Sequence, residues 1–136
     1  MVANLPSDFP KGDYQSVDAA VDRWLKATRQ GDETPAVWYE FVRAWQAAAH
    51  RFRMCAEHDK AFTEAIAVAN CTHEDLYIQD RELFLFFATA LSTIESFYYA
   101  AFALASMLSP SDFLLTSNKD CARIFAKSFG CITAGN

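Results

Sequence analysis

Residues 83–108 have the sequence LFLFFATALSTIESFYYAAFALASML, and this stretch decides the fold class. It carries one charged side chain, Glu95, and contains neither glycine nor proline. A run of this length without helix breakers predicts an α-helix that is apolar around most of its circumference. Such a helix belongs either at the centre of a helical bundle or in a membrane.

The same stretch is long enough to cross a bilayer. We nevertheless expect a buried core helix and no membrane partner. Glu95 lies near the middle of the stretch, five Ser or Thr residues accompany it, and neither end has a basic cluster that would set the orientation of a transmembrane helix. A long amphipathic segment immediately upstream offers this helix a partner in water.

The rest of the composition also favours helices. The 136 residues correspond to one domain, and they include only four glycines and four prolines. Sandwiches and small barrels need frequent turn residues, and nucleotide-binding folds need a glycine-rich phosphate loop, so we expect neither class. We therefore predict a single all-α domain over residues 1–136, an up-and-down four-helix bundle with a long antiparallel helical hairpin.

Capping and breaking residues predict the ends of the four helices. An irregular leader occupies residues 1–13, and the first helix starts near Asp13 or Ser16 and ends before Gly31. The second runs from Pro35, capped by Thr34, to about Asn70. The third runs from about His73, capped by Thr72, to Leu108, and the fourth covers roughly Asn118 to Phe129.

The second helix has one apolar stripe whose members step by three and four residues. Only Asp59 interrupts it, and the Glu57–Lys60 cluster is the expected place for a kink or break. The stripe consists of Trp38, Phe41, Trp45, Ala48, Phe52, Cys55, Phe62, Ile66 and Ala69.

Glu95 is predicted to be the polar defect of the core, since a buried ionised carboxylate needs a partner. Pairing of helices two and three about a turn near residue 72 places Glu95 level with residues 48–51. We expect either an ion pair with Arg51 or hydrogen bonds to Tyr or Ser hydroxyls. A functional alternative is a small-ligand pocket around Glu95 and Tyr98.

Metals and cofactors are not expected. Cys55 and His58, followed by Cys71 and His73, resemble a zinc site only loosely, because about 20 Å of continuous helix separates His58 from Cys71. The paired Glu-x-x-His motifs of di-iron bundles and the common catalytic motifs are missing from the sequence. The leader does not resemble a signal peptide, so we expect a cytoplasmic protein with reduced thiols.

Two segments of the third helix, DRELFLFF at 80–87 and LSTIESFYY at 91–99, resemble the central helix of HEPN-type bacterial helical domains. Many members of that family are metal-independent ribonucleases of toxin–antitoxin or phage-defence systems. They act as dimers through an Arg followed by a His after four to six residues. Other members lack this motif and serve as binding modules.

The second helix contains this Arg–His spacing in the pairs Arg43 with His50 and Arg51 with His58, and in Arg53 with His58. Residues seven apart share a helix face, so the resemblance makes these side chains catalytic candidates. The alternative is a solvated basic face. The net charge of −5 argues against a broad nucleic-acid footprint.

The sequence thus predicts a non-catalytic interaction or dimerisation module that resembles HEPN domains. Helix three is apolar on more sides than its neighbours can cover, so we expect a homo-oligomer and allow a different protein partner. The competing hypothesis is a metal-independent endoribonuclease, and RNA is a partner only under that hypothesis.

Overall fold

The computed structural model describes residues 5–28 and 35–115. Within these ranges the chain is all-helical, with 81% helix and no strand. The three helices are α1 (Lys11–Thr28), α2 (Ala36–Ile66) and α3 (His73–Leu108). The predicted fourth helix and the predicted caps Gly31 and Thr34 lie outside the described residues, so three of the four predicted helices are found.

Helix α1 begins earlier than predicted. Its first residue is Lys11, two positions before Asp13, and the irregular leader is correspondingly shorter. Pro10 explains the difference, because its carbonyl accepts the backbone N–H of Tyr14 at 3.0 Å and so closes the first helical turn. A proline lacks an N–H donor and is suited to the start of a helix.

Helix α2 is continuous from Ala36 to Ile66, so the helix does not break at the Glu57–Lys60 cluster. The helix ends four residues before Asn70. Its last turn tightens at Ala67, whose N–H bonds to the carbonyl of Glu64 at 3.3 Å. Asn70 then adopts a positive φ of 61°, a conformation that asparagine tolerates better than most residues.

The start and end of α3 agree with the prediction. Thr72 forms a capping box with Asp75: the Thr72 hydroxyl accepts the Asp75 backbone N–H at 3.2 Å, and the Asp75 carboxylate accepts the Thr72 backbone N–H at 2.8 Å. The Thr72 hydroxyl also donates to the Asp75 carboxylate at 2.7 Å, and this bond, with the one from the Thr72 backbone N–H, holds the pKa of Asp75 below its ordinary value.

Helices α2 and α3 form the predicted antiparallel hairpin. Gln79 near the turn donates to the carbonyl of Ala65 at 3.0 Å. At the far end, the hydroxyl of Tyr99 donates to Oε2 of Glu40, also at 3.0 Å. The two helices therefore stay side by side over most of their length.

The hydrophobic core lies at the open end of the hairpin, where α1 joins it. Phe41 is the largest fully buried side chain, and Ala100 and Ala103 of α3 are also fully buried. Helix α1 reaches the hairpin through an aromatic contact, since the ring of Tyr14 stacks on Trp45 with centroids 4.8 Å apart. Burial and the nearby Asp18 raise the pKa of Tyr14.

The buried side of α3 is not the one that its aromatic residues predict. Small side chains, among them Ser96, Ala100 and Ala103, face α2, and most of the large apolar side chains face away. Within the described residues the expected buried core helix is therefore buried only on its α2 side, and its remaining apolar sides are left uncovered. Small residues let two helix backbones approach closely, which explains why this side of α3 packs inward.

Candidate functional site

A row of polar side chains lies between α2 and α3 on the turn side of the core. We call it the polar seam, and it consists of Arg51, Cys55, His58, Glu82 and Ser96. Arg51, Cys55 and His58 lie on α2 at spacings of four and three residues, so they project from one side of that helix.

At the end of the seam nearer the turn, Glu82 joins two basic side chains. Its Oε2 lies 2.7 Å from Nδ1 of His58, and its Oε1 accepts Nε and Nη2 of Arg81 at 2.9 and 2.7 Å. Glu82 is 7% exposed, whereas the Arg81 side chain is about half exposed. The carboxylate is thus buried but has hydrogen-bonding partners on both oxygens, which offsets the desolvation cost.

The hydrogen bond from His58 and those from Arg81 hold the pKa of Glu82 below its ordinary value, and burial opposes them only in part. Glu82 is therefore ionised at neutral pH. A carboxylate bonded to one ring nitrogen fixes the orientation of an imidazole, as in sites where histidine carries a proton.

Arg51 occupies the other end of the seam. Its Nη1 donates to the hydroxyl of Ser96 and, at 3.4 Å, to the carbonyl of Ser92. The predicted ion pair with Glu95 is wrong, because Glu95 is exposed. The predicted level was correct, but residue 96 rather than 95 faces α2, and one residue corresponds to a rotation of about 100° on a helix.

The remaining catalytic candidates are not brought into the seam. Arg43 and His50 are exposed on α2, as the solvated-face interpretation predicts. Arg53 bonds Oε1 of Glu57 at 2.7 Å on the exposed side. For Arg51 and His58 the same interpretation is wrong, since both are half-buried and contact α3.

Two cysteine thiols fall within the described residues, and both are free. Cys55 is half-buried in the seam, where its Sγ lies 3.8 Å from the carbonyl oxygen of Phe86. Burial raises the pKa of this thiol. A hydrogen bond with Thr89 lowers the pKa and the negative charge of Asp59 raises it, so the net shift is upward. Cys71 is exposed in the turn.

A cavity of about 640 Å³ lies at the open end of the hairpin, away from the seam. Trp24, Glu40, Tyr99 and Met107 are among the residues that line it. The predicted ligand pocket around Glu95 and Tyr98 is wrong in its position, because both side chains are exposed rather than in the core.

The most extensive feature is the side of α3 that points away from α2. We call it the outer face of α3 and define it by five side chains at alternating steps of three and four. Their exposed fractions are 71% for Phe84, 62% for Phe87, 55% for Leu91, 45% for Ile94 and 44% for Tyr98. Monomeric proteins rarely expose so continuous an apolar strip, and such strips mark interaction sites.

By length and composition, α3 is also long and apolar enough to cross a membrane, and only 11% of the most apolar window of this helix is buried. One such helix is weak support for a membrane span, because core helices of soluble proteins meet the same criteria.

Within residues 5–28 and 35–115, no three His, Cys, Asp or Glu side chains come close enough to hold one metal ion. Compared with protein-family models, curated proteins and solved structures, the chain gives no match. The resemblance to HEPN domains therefore stays a prediction.

Sequence reasoning missed Glu82. The predicted turn near residue 72 places His58 level with about residue 86 of helix three, and Glu82 lies one helical turn from that level, within reach of the long His and Glu side chains. Glu82 lies immediately before residues 83–108, whereas the carboxylate that was predicted to be buried, Glu95, is the one charge inside that stretch.

Proposed function

We propose that this protein is a non-catalytic helical interaction module that self-associates through the outer face of α3. The single observation that carries the proposal is the exposure of that face over Phe84 to Tyr98. Burying large apolar side chains on association releases free energy roughly in proportion to the area removed from water.

The polar seam supports a structural rather than a catalytic role for α2. Arg51 and His58 are engaged by Ser96 and Glu82 of the neighbouring helix, so their polar groups stabilise the hairpin. The proposal includes a cytoplasmic location and the fourth helix at Asn118–Phe129, which would complete a HEPN-like bundle.

Light scattering on the full chain, from low to high micromolar concentration, tests self-association. We expect a dimer for the wild type and a monomer for Leu91→Glu, because an ionised carboxylate at the centre of the face cannot be buried without a partner. A wild-type monomer at high micromolar concentration would overturn the proposal.

Ile66→Glu is the matched control for this experiment. Ile66 lies on α2 and is 52% exposed, close to the 55% of Leu91, but it is not part of the outer face. We expect the control to remain dimeric. Circular dichroism on both variants checks that the helices are intact, and equal dissociation of both variants would argue against a specific face.

A second candidate, a metal-independent endoribonuclease, has one favourable observation. Glu82 holds Nδ1 of His58, an arrangement suited to proton transfer through the other ring nitrogen. Arg51 is seven residues away on the same helix, about 10 Å along its axis. The exposed pair Arg43 and His50 is the other set of residues that this function could use.

Cleavage of structured and single-stranded RNA in EDTA tests this candidate. If the ribonuclease hypothesis holds, activity falls in His58→Ala, in His50→Ala or in the double variant, depending on the pair used. Activity that is equal in the wild type and the double variant comes from a contaminant and removes the candidate.

A further inference from the structure

We infer that the occupant of the outer face is a second copy of this chain, packed with its α3 antiparallel so that Arg81 of each copy lies beside Glu95 of the other. This inference rests on the proposed function and adds the direction and register. The position of the charges at the edge of the face supports it, and the spacing of the exposed side chains is compatible with it.

The spacing of the outer face is that of a coiled-coil seam. Phe84, Leu91 and Tyr98 are seven residues apart, and so are Phe87 and Ile94. Two interleaved heptad series form a strip that another helix covers by knobs-into-holes packing. A helix lying on a lipid surface has the same spacing, so it is the charges at the edge of the face that favour a helical partner.

The charges give the direction. Arg81 and Glu95 are both exposed, lie on the same edge of the face and are symmetric about Ala88. An antiparallel second copy therefore forms two equivalent Arg81–Glu95 pairs, whereas in a parallel copy the two charges lie on opposite flanks of the contact and form no such pair. Complementary charges across an interface favour the antiparallel dimer.

The same register also brings together the apolar side chains of the two outer faces that lie between these charges. It places Phe84 against Ile94 of the second copy and Phe87 against Leu91, with the two-fold axis near Ala88. Arg81 has donors for a second carboxylate, because its guanidinium carries five N–H groups and the contact with Glu82 uses those of Nε and Nη2.

A charge-exchange experiment tests the pairing. Glu95→Arg places two arginines opposite each other at each end of the contact between the outer faces. We expect the dissociation constant of the dimer to rise about tenfold at low salt. Arg81→Glu alone weakens the dimer similarly. An equimolar mixture of the two variants restores both ion pairs in a heterodimer, which native mass spectrometry identifies.

Asp59→Arg is the control for the change in charge. Asp59 is exposed on α2, so Asp59→Arg makes the same change from a negative to a positive charge without touching the outer face. We expect its dimer constant to stay within about twofold of the wild type. If Glu95→Arg behaves like Asp59→Arg, or if the mixture shows no preference for heterodimers between folded variants, the pairing is wrong.

Cysteine cross-linking tests the direction without altering Arg81, whose bond to Glu82 could make its variant unstable. Ala88→Cys lies at the axis and is expected to form a disulfide between copies. Ala101 is also exposed, but an antiparallel dimer separates the two copies of residue 101 by about 39 Å along the helices, so Ala101→Cys stays unlinked.

These results separate the inference from the proposed function. A dimer that cross-links through Ala101→Cys and not through Ala88→Cys is parallel, which overturns the register but leaves self-association intact. A monomer at high micromolar concentration overturns both. A monomer that binds neutral phosphatidylcholine vesicles identifies a lipid occupant and also overturns both.

Discussion

Glu82 and His58 are 24 residues apart in the sequence and lie on different helices, and their side chains meet at 2.7 Å inside the hairpin. Arg81 approaches the same carboxylate from the exposed side. A buried charge with two basic partners stabilises the hairpin only while all three groups are present, because removing one leaves the others with unsatisfied hydrogen-bonding groups.

The first prediction concerns the pH dependence of this cluster. Because the pKa of Glu82 is lowered in the folded state, its stabilising contribution is complete above the ordinary glutamate value of 4.5 and is lost as the pH falls through the lower folded value. We expect Glu82→Gln to lower the urea midpoint at pH 7 and to converge on the wild type in acid. Urea unfolding at several pH values between 7 and 3 measures this.

Glu57→Gln is the control for Glu82→Gln. Glu57 pairs with Arg53 on the exposed side of α2, and such pairs contribute about 0.3–0.5 kcal/mol. The shift in the urea midpoint at pH 7 should be at least twice as large for Glu82→Gln. Equal shifts in the two variants would show that burial adds nothing to the cluster.

The second prediction concerns Arg51 and Ser96. Ser96→Ala removes one hydrogen bond to a charged donor, and we expect a loss of about 1–2 kcal/mol in the free energy of unfolding. Once Arg51 has been replaced by Met, the same serine substitution should cost less. A double-mutant cycle measures the coupling, and a value near zero would mean that the contact does not contribute in solution.

The third prediction concerns the close approach of α2 and α3. Ala100 is fully buried, so Ala100→Leu forces extra atoms between the helices and should cost about 1–3 kcal/mol. Ala88→Leu makes the same change at an exposed position of α3 and should leave the free energy of unfolding within about 0.5 kcal/mol. Chemical unfolding of the two variants at low protein concentration gives the comparison.

The fourth prediction concerns thiol reactivity. The Cys55 thiol is half-buried and its pKa is raised, so little thiolate is available there, whereas Cys71 is exposed. We expect iodoacetamide to modify Cys71 at least tenfold faster than Cys55 in the native protein. Peptide mapping after timed alkylation resolves the two sites, and in urea their rates should become similar.

Local signals were enough to predict several features of the fold. The Thr72 cap and the start of α3 at His73 follow from capping chemistry, and the hairpin follows from two long helices joined by a short polar turn. The position of the turn also predicted that Arg51 of α2 lies level with residue 95 of α3.

The orientation of α3 about its own axis could not be predicted in the same way. Most sides of this helix carry apolar residues, so the period of hydrophobicity does not identify the side that meets α2. Side-chain size decides the packing instead, because Ala100 and Ala103 allow a close approach that Phe84 and Phe87 would prevent. For this reason the predicted burial of Glu95 was wrong, and so was the predicted ligand pocket around Glu95 and Tyr98.

The short connection between α2 and α3 has a consequence for the rate of folding. The contact of Gln79 with Ala65 closes a loop of 14 residues, whereas that of Tyr99 with Glu40 spans 59 residues. Loop closure costs more entropy as the loop lengthens, so the hairpin should form from the turn outward, like a zipper. Substitutions near Asn70 should then slow folding, while those near Glu40 should mainly speed unfolding, a difference that stopped-flow kinetics can measure.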